Sequence, residues 1–413
     1  MKKVFLKKIG ATMLALMMAL GLVSMPVLAA QDEEPVALEP GYDYTRFQGQ
    51  DITLNVYNWG LYISDGADDT LDVIAQFEAL TGIDVNYTTF ASNEDMHTKI
   101  SMGGAEYDIV IPSDYMVGRM IEEGLLAQLN YDNIPNISFI SEEHLGWAYD
   151  PQGTYSVPYM WGTTGLIYNT TMVQGTPDSW DLLWNEDYAG QITMFNNSRD
   201  AFAIALARLG LPLNPTTQEE INAARELLQQ QKVVAPLYLM DEIFDKLEGG
   251  EAAAGPYYAG DAITMMEENP DLAFVFPKEG VNYFVDAMCV LQSSRNKEAA
   301  EMFINFMCET EVALANALAI GYSTPHTAAY ELLPEEVRTS EIAYPSSEIL
   351  DRSQVFTVLP QEMNEAMDAA WSEVRSYDEA GNKWLMPALL IGLVGVAVFV
   401  VVQRANRKKR DDY

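Results

Sequence analysis

Ile52-Thr53-Leu54-Asn55-Val56-Tyr57-Asn58-Trp59 alternates apolar and polar side chains, the period of a strand with one buried face. The segments after it decide the fold. Asp68–Leu80 carries Leu71, Ile74, Phe77 and Leu80 on a helical period, and Gly82 stands where such a helix stops. Ile83–Phe90 reads as a strand and Asn93–Met102 as a helix capped by Asn93. Tyr107–Pro112 reads as a compact apolar strand and Tyr115–Glu123 as a helix ending at Gly124. This strand–helix alternation implies an α/β fold with a mostly parallel sheet and helices on its faces.

The pattern resumes downstream. Gly190–Phe195, Ala254–Tyr258, Ala273–Phe276 and Ala287–Leu291 read as strands. Asp200–Leu209, Lys297–Cys308 and Glu311–Ala319 read as helices, and Thr217 with Glu220 forms a capping-box pair before a helix through Gln231. So long a stretch exceeds one comfortable core, so two lobes are expected.

The ends read differently. Lys2, Lys3, Lys7 and Lys8 precede an apolar run from Ile9 to Val27 and small residues at Ala29 and Ala30, the order of a secretory signal peptide over residues 1–30. No Cys near the cut offers a lipid attachment point. Residues 31–50 read as an acidic linker and 376–383 as a second one. Trp384 to Val402 is apolar without a charge, and Arg404, Arg407, Lys408, Lys409 and Arg410 follow. The expectation is a transmembrane helix over 384–403 with a cytoplasmic basic tail, 404–413, so that the bulk of the chain is held outside the cell membrane.

The chain has 24 Lys+Arg against 60 Asp+Glu, a formal net charge of −36. The segment between the basic ends is more acidic still. Such a field repels nucleic acid and draws cations. Cys289 and Cys308 both lie in apolar runs and read as free buried thiols, with pairing left open. His97, His144 and His326 are far apart, and there is no CxxC.

In open α/β sheets ligands sit beyond the carboxyl ends of strands. Trp59 and Tyr62 follow the first strand; Ser113, Asp114 and Tyr115 follow Tyr107–Pro112. Asn197 and Asp200 follow Gly190–Phe195, and Tyr258 and Asp261 close Ala254–Tyr258. Phe284 and Asp286 precede Ala287–Leu291, and Tyr322 follows Glu311–Ala319. Aromatic beside acid suits a flexible alkyl amine. Rings wall its methylenes, ring faces attract its ammonium groups at roughly 0.5–2 kcal/mol each, and carboxylates pair the buried charge.

Five stretches carry a resemblance: Tyr57-Asn58-Trp59-Gly60-Leu61-Tyr62-Ile63; Tyr107 through Tyr115; Val157-Pro158-Tyr159-Met160-Trp161-Gly162-Thr163-Thr164; Phe276-Pro277-Lys278-Glu279-Gly280; and Ile320-Gly321-Tyr322-Ser323-Thr324-Pro325. In order and spacing the chain, from about Ile52 to Ser376, resembles the spermidine/putrescine-binding proteins of bacterial polyamine transporters. The resemblance implies a type II periplasmic-binding-protein fold: two α/β lobes, 51–161 with 284–330 and 162–283 with 331–375, around a ligand cleft. It implies a ligand site of Trp59, Tyr62, Ser113, Tyr115, Asn197, Asp200, Tyr258, Asp261, Phe284, Asp286, Tyr322 and Gln354. The chain departs from the family's spermidine binders at Asn197, an Asp there; at Asp200, a Glu there; and at Tyr258, a Trp there. Asp261 matches putrescine-binding relatives, and with Phe284 it leans the reading toward putrescine.

The expected activity is therefore capture of a small cationic amine and its delivery to an ABC permease. No chemical step and no cofactor are called for, and a monomer is expected. Two rivals stay open. With 22 Tyr, a tyrosinate ferric-iron site on the same fold is conceivable, and so is a two-carboxylate hydrolase, although no GxSxG or HExxH motif is present.

Overall fold

Strands β1 (Thr53–Trp59) and β2 (Asp84–Phe90) pair in parallel along their whole length, and β1 pairs in parallel with β3 (Ile109–Val110). A computed structural model describes residues 35–67, 70–104 and 106–377. The expected signal peptide, transmembrane helix and basic tail lie outside the described residues. Among the described residues no single helix is long and apolar enough to cross a membrane.

Helix α1 (Val73–Thr81) starts later than its periodicity predicts, because the Asp72 side chain accepts from the Ala75 N–H and fixes the cap there. Gly82, at φ 72°, ends it as expected. In α2 (Asn93–Ser101) the cap is Ser92, not Asn93. The Asn93 side chain turns instead to Ser113, which opens α3 (Asp114–Glu122).

Past β3 the sheet stops being parallel. It continues through β9 (Tyr283–Val290) to β4 (Ser156–Asn169), both antiparallel to their neighbours, and on to β7 (Ala254–Tyr258) and β8 (Leu272–Val275), which both pair with β4. The expected mostly parallel sheet is thus a mixed one, parallel only at β2-β1-β3 and in the separate pair β5 (Thr193–Phe195) and β6 (Leu237–Leu239). Strand β4 is buried at every residue. It runs beside β9 over Ser156–Thr163 and beside β7 over Thr164–Tyr168, so one strand joins both halves of the sheet. Its register shifts between Pro158 and Met160, so that Tyr159 has no partner in the ladder.

The helices α4 (Ser198–Arg208), α5 (Gln218–Gln231), α6 (Ile243–Glu248), α7 (Ala259–Glu268), α8 (Lys297–Met307), α9 (Thr310–Ile320) and α10 (Gln361–Ser376) complete the fold, with shorter helical segments between Thr327 and Asp351. The Thr217–Glu220 capping box starts α5 as expected. Helices α8 and α9, bent by 71° at their junction, are largely buried. The stretch expected to be a free acidic linker is partly tied down. The buried Tyr44 donates its hydroxyl to Glu309 at 2.6 Å, and the Ala37 N–H donates to Glu311. Cys289 and Cys308 are buried and unpaired. Burial pushes the Cys308 thiol up to about 12.

Candidate ligand-binding site

Every expected site residue except Asn197 and Gln354 lines a single cavity, together with Asn93, Asp241, Phe244, Tyr257, Asn282 and Phe356. The topology explains the convergence. Trp59 ends β1, and Ser113 and Tyr115 stand where β3 passes into α3. Asp200 lies in the first turn of α4 after β5, and Asp261 in the first turn of α7 directly after β7. Phe284 and Asp286 do not precede their strand as expected; they lie inside β9. Because β9 runs antiparallel to β3, its early residues lie beside the carboxyl end of β3, and Ser113 bridges to Asp286. Spacing by two sends Phe284 and Asp286 to the same face.

Four carboxylates line the cavity, and three of them each accept a different tyrosine hydroxyl. Tyr62 donates to Asp286 Oδ2 at 2.7 Å, Tyr258 to Asp200 Oδ2 at 2.9 Å, and Tyr322 to Asp261 Oδ2 at 2.8 Å. Among the described residues the other oxygens of Asp286 and Asp200 are buried without a partner. The rings pack edge to face: Tyr62 on Tyr322 at 4.9 Å and Tyr258 on Phe284 at 5.5 Å between centroids. The Tyr62 carbonyl accepts from Asn58 and from the Tyr159 hydroxyl, which fixes the turn after β1. Gly260 is required by close approach, since a Cβ there would lie 2.1 Å from the Tyr322 ring. The absent side chain lets Tyr322 reach Asp261.

The electrostatics follow from burial. Desolvation pushes the Asp200 and Asp261 carboxyls up to about 7 and that of Asp286 to about 6, with the tyrosine hydrogen bonds pulling the other way. The Asp286 carboxylate raises both Asp200 and Asp261 further. Arg199, also buried, does not enter the cavity. Its guanidinium is held between the Tyr115 and Phe356 rings, 4.9 Å and 4.6 Å from their centroids. Tyr115 in turn donates to Glu94 at 2.9 Å.

Two expected site residues stand elsewhere. Asn197 caps α4, its Oδ1 accepting from the Arg199 N–H, and it meets the site only through Tyr258 at 3.4 Å. Gln354 spends its side-chain carbonyl on the Leu213 N–H, while its backbone pairs with Val281 and Tyr283. Sequence reasoning missed Asn93, Asp241, Asn282 and Phe356. Only Asn93, misread as a cap, carried a local signal.

An enclosed aromatic cavity with under-neutralised carboxylates defines a binding protein for small cations. The chain belongs to the bacterial extracellular solute-binding proteins, whose family model matches residues 72–343. It is 33% identical over 304 residues, 73% of this chain and 86% of the relative, to the spermidine/putrescine-binding periplasmic protein of Salmonella typhimurium. It is 28% identical over 390 residues, 90% of this chain and 99% of the relative, to the putrescine-binding periplasmic protein SpuD of Pseudomonas aeruginosa. Among solved structures, the spermidine/putrescine ABC transporter substrate-binding protein PotD from Streptococcus pneumoniae superposes with a TM-score of 0.66 at 36% identity, covering 79% of this chain and 99% of that one.

Proposed function

We propose that this chain is the extracytoplasmic binding subunit of an ABC importer and that its cargo is a di- or polyamine. The observation that carries the reading is the trio Asp200, Asp261 and Asp286, each held by a tyrosine hydroxyl in an aromatic cavity. A buried carboxylate needs a counter-charge, and a protonated amine with an alkyl spacer supplies it while its methylenes meet rings. The relatives, named as spermidine/putrescine-binding and putrescine-binding proteins, favour the same cargo. Putrescine is favoured over longer amines by Asp261 combined with Tyr258 and Phe284.

Binding works without chemistry. The lobes, 51–161 with 284–330 and 162–283 with 331–375, close on the ligand, and a permease reads the closed form. Strand β4, continuous through both halves of the sheet, supports that division. The apolar stretch 384–403 tethers the monomer outside the membrane and raises its effective concentration near the permease. Deleting 384–413 is expected to move the protein from the membrane fraction to the medium.

The test is titration calorimetry with putrescine, cadaverine, spermidine and spermine. The reading expects saturable one-to-one binding of at least one amine, lost in Asp286→Ala. No heat with any of the four sinks it.

A further inference from the structure

Asp241, which follows β6, lines the mouth of the cavity on the exposed side, beside Phe244 and Tyr257. No hydrogen bond or ion pair engages its carboxylate among the described residues. Gly60 lies directly against it: a Cβ there would fall 2.6 Å from Asp241 Oδ2, so the carboxylate fills the space that a side chain at position 60 would take. Four acids line the cavity, Asp200, Asp241, Asp261 and Asp286, and Asp241 is the exposed one among them. Asp286 acts electrostatically on both Asp200 and Asp261, whereas Asp241 acts on Asp261.

On the reading that the ligand is an amine, we infer that Asp241 is a specificity-determining residue which pairs the third ammonium of a linear triamine emerging past Asp261 toward Gly60. A short diamine is spanned by the three inner carboxylates and does not reach the mouth. A triamine carries one further charge toward Asp241, which among the described lining residues is the carboxylate with neither oxygen hydrogen-bonded, and the adjacent backbone, Gly60, presents no side chain. The residue thus widens the range of amines accepted without altering the inner site.

The test compares putrescine and spermidine on the wild type and on Asp241→Asn, an isosteric change at an exposed position. Spermidine affinity is expected to fall about three- to fivefold and putrescine affinity to change by less than about 1.5-fold. The spermidine difference should shrink between about 50 mM and 500 mM salt, because a charge at the mouth is screened, whereas a merely structural role would leave it unmoved. Equal effects on both amines, or none on spermidine, overturn the inference. Failure of every amine to bind the wild type overturns the underlying reading instead.

Discussion

The two sides of the cavity are made of different chemistry. From β1, the turn after it and α3 come Trp59, Tyr62, Ser113 and Tyr115, rings and hydroxyls without a carboxylate. From the first turns of α4 and α7 come Asp200 and Asp261. Asp286, on β9 between them, joins the sides through Tyr62. Ring faces attract a cation but cannot neutralise it. The acids neutralise it, but without it they are held by burial near the protonated form. Neither side completes a site alone, which couples ligand capture to bringing the two together.

The largest expected effect breaks that division through pH. Amines stay protonated well above neutrality, so only the carboxylates titrate. Lowering pH from about 8 to about 5.5 should weaken binding by about thirtyfold for each of Asp200 and Asp261 engaged and by about fourfold for Asp286. The sign for the unliganded protein is opposite. Asp200 and Asp261 keep a proton in the folded state up to about 7, but lose it near 3.8 when unfolded. Between those values the folded state binds more protons, so stability falls as pH rises through that window and levels off above it. Saturating ligand should cancel the fall. Melting temperatures with and without amine that run parallel from pH 5 to 8 would contradict both statements.

Next in size is Asp286→Asn, which keeps the shape and removes the central charge. It should cost about a hundredfold in affinity, the scale for truncating one partner of a buried charge pair. A loss under about threefold by calorimetry would mean that the charge side does not depend on β9. Trp59→Ala removes a ring face and should cost about tenfold, with Trp59→Phe recovering part of it. Smallest is Gln354→Ala. Its side chain serves Leu213 rather than the cavity, so thermal unfolding should report a loss of about 1 kcal/mol while affinity changes by less than about twofold.

Much of this was legible in the sequence. The β1–α1–β2–α2–β3–α3 run carries period, caps and stop glycines, so its elements fall within a few residues of their expected ends. Strand β4 was not legible as a strand, because burial on both faces erases alternation and leaves an apolar run with Pro158 and glycines. The early part of β9 was missed for a related reason: Asp286 looks like a polar interruption, yet the acid is buried to serve the cavity. The site was readable wherever a strand delivers a residue at its end. Asp241, Asn282 and Phe356 come from irregular segments whose paths no local pattern fixes. Asn197 and Gln354 show the converse, since a position can match a family's pattern while its side chain is used for a helix cap or a backbone contact.

The most direct measurement is calorimetry of amine binding near pH 6.5 in two buffers of different ionisation enthalpy, which counts protons exchanged. Carboxylates raised to about 7, 7 and 6 should ionise on meeting an ammonium, so binding should release about one proton or more per ligand. Binding with no proton release, or with uptake, would contradict the claim that Asp200, Asp261 and Asp286 hold the cation.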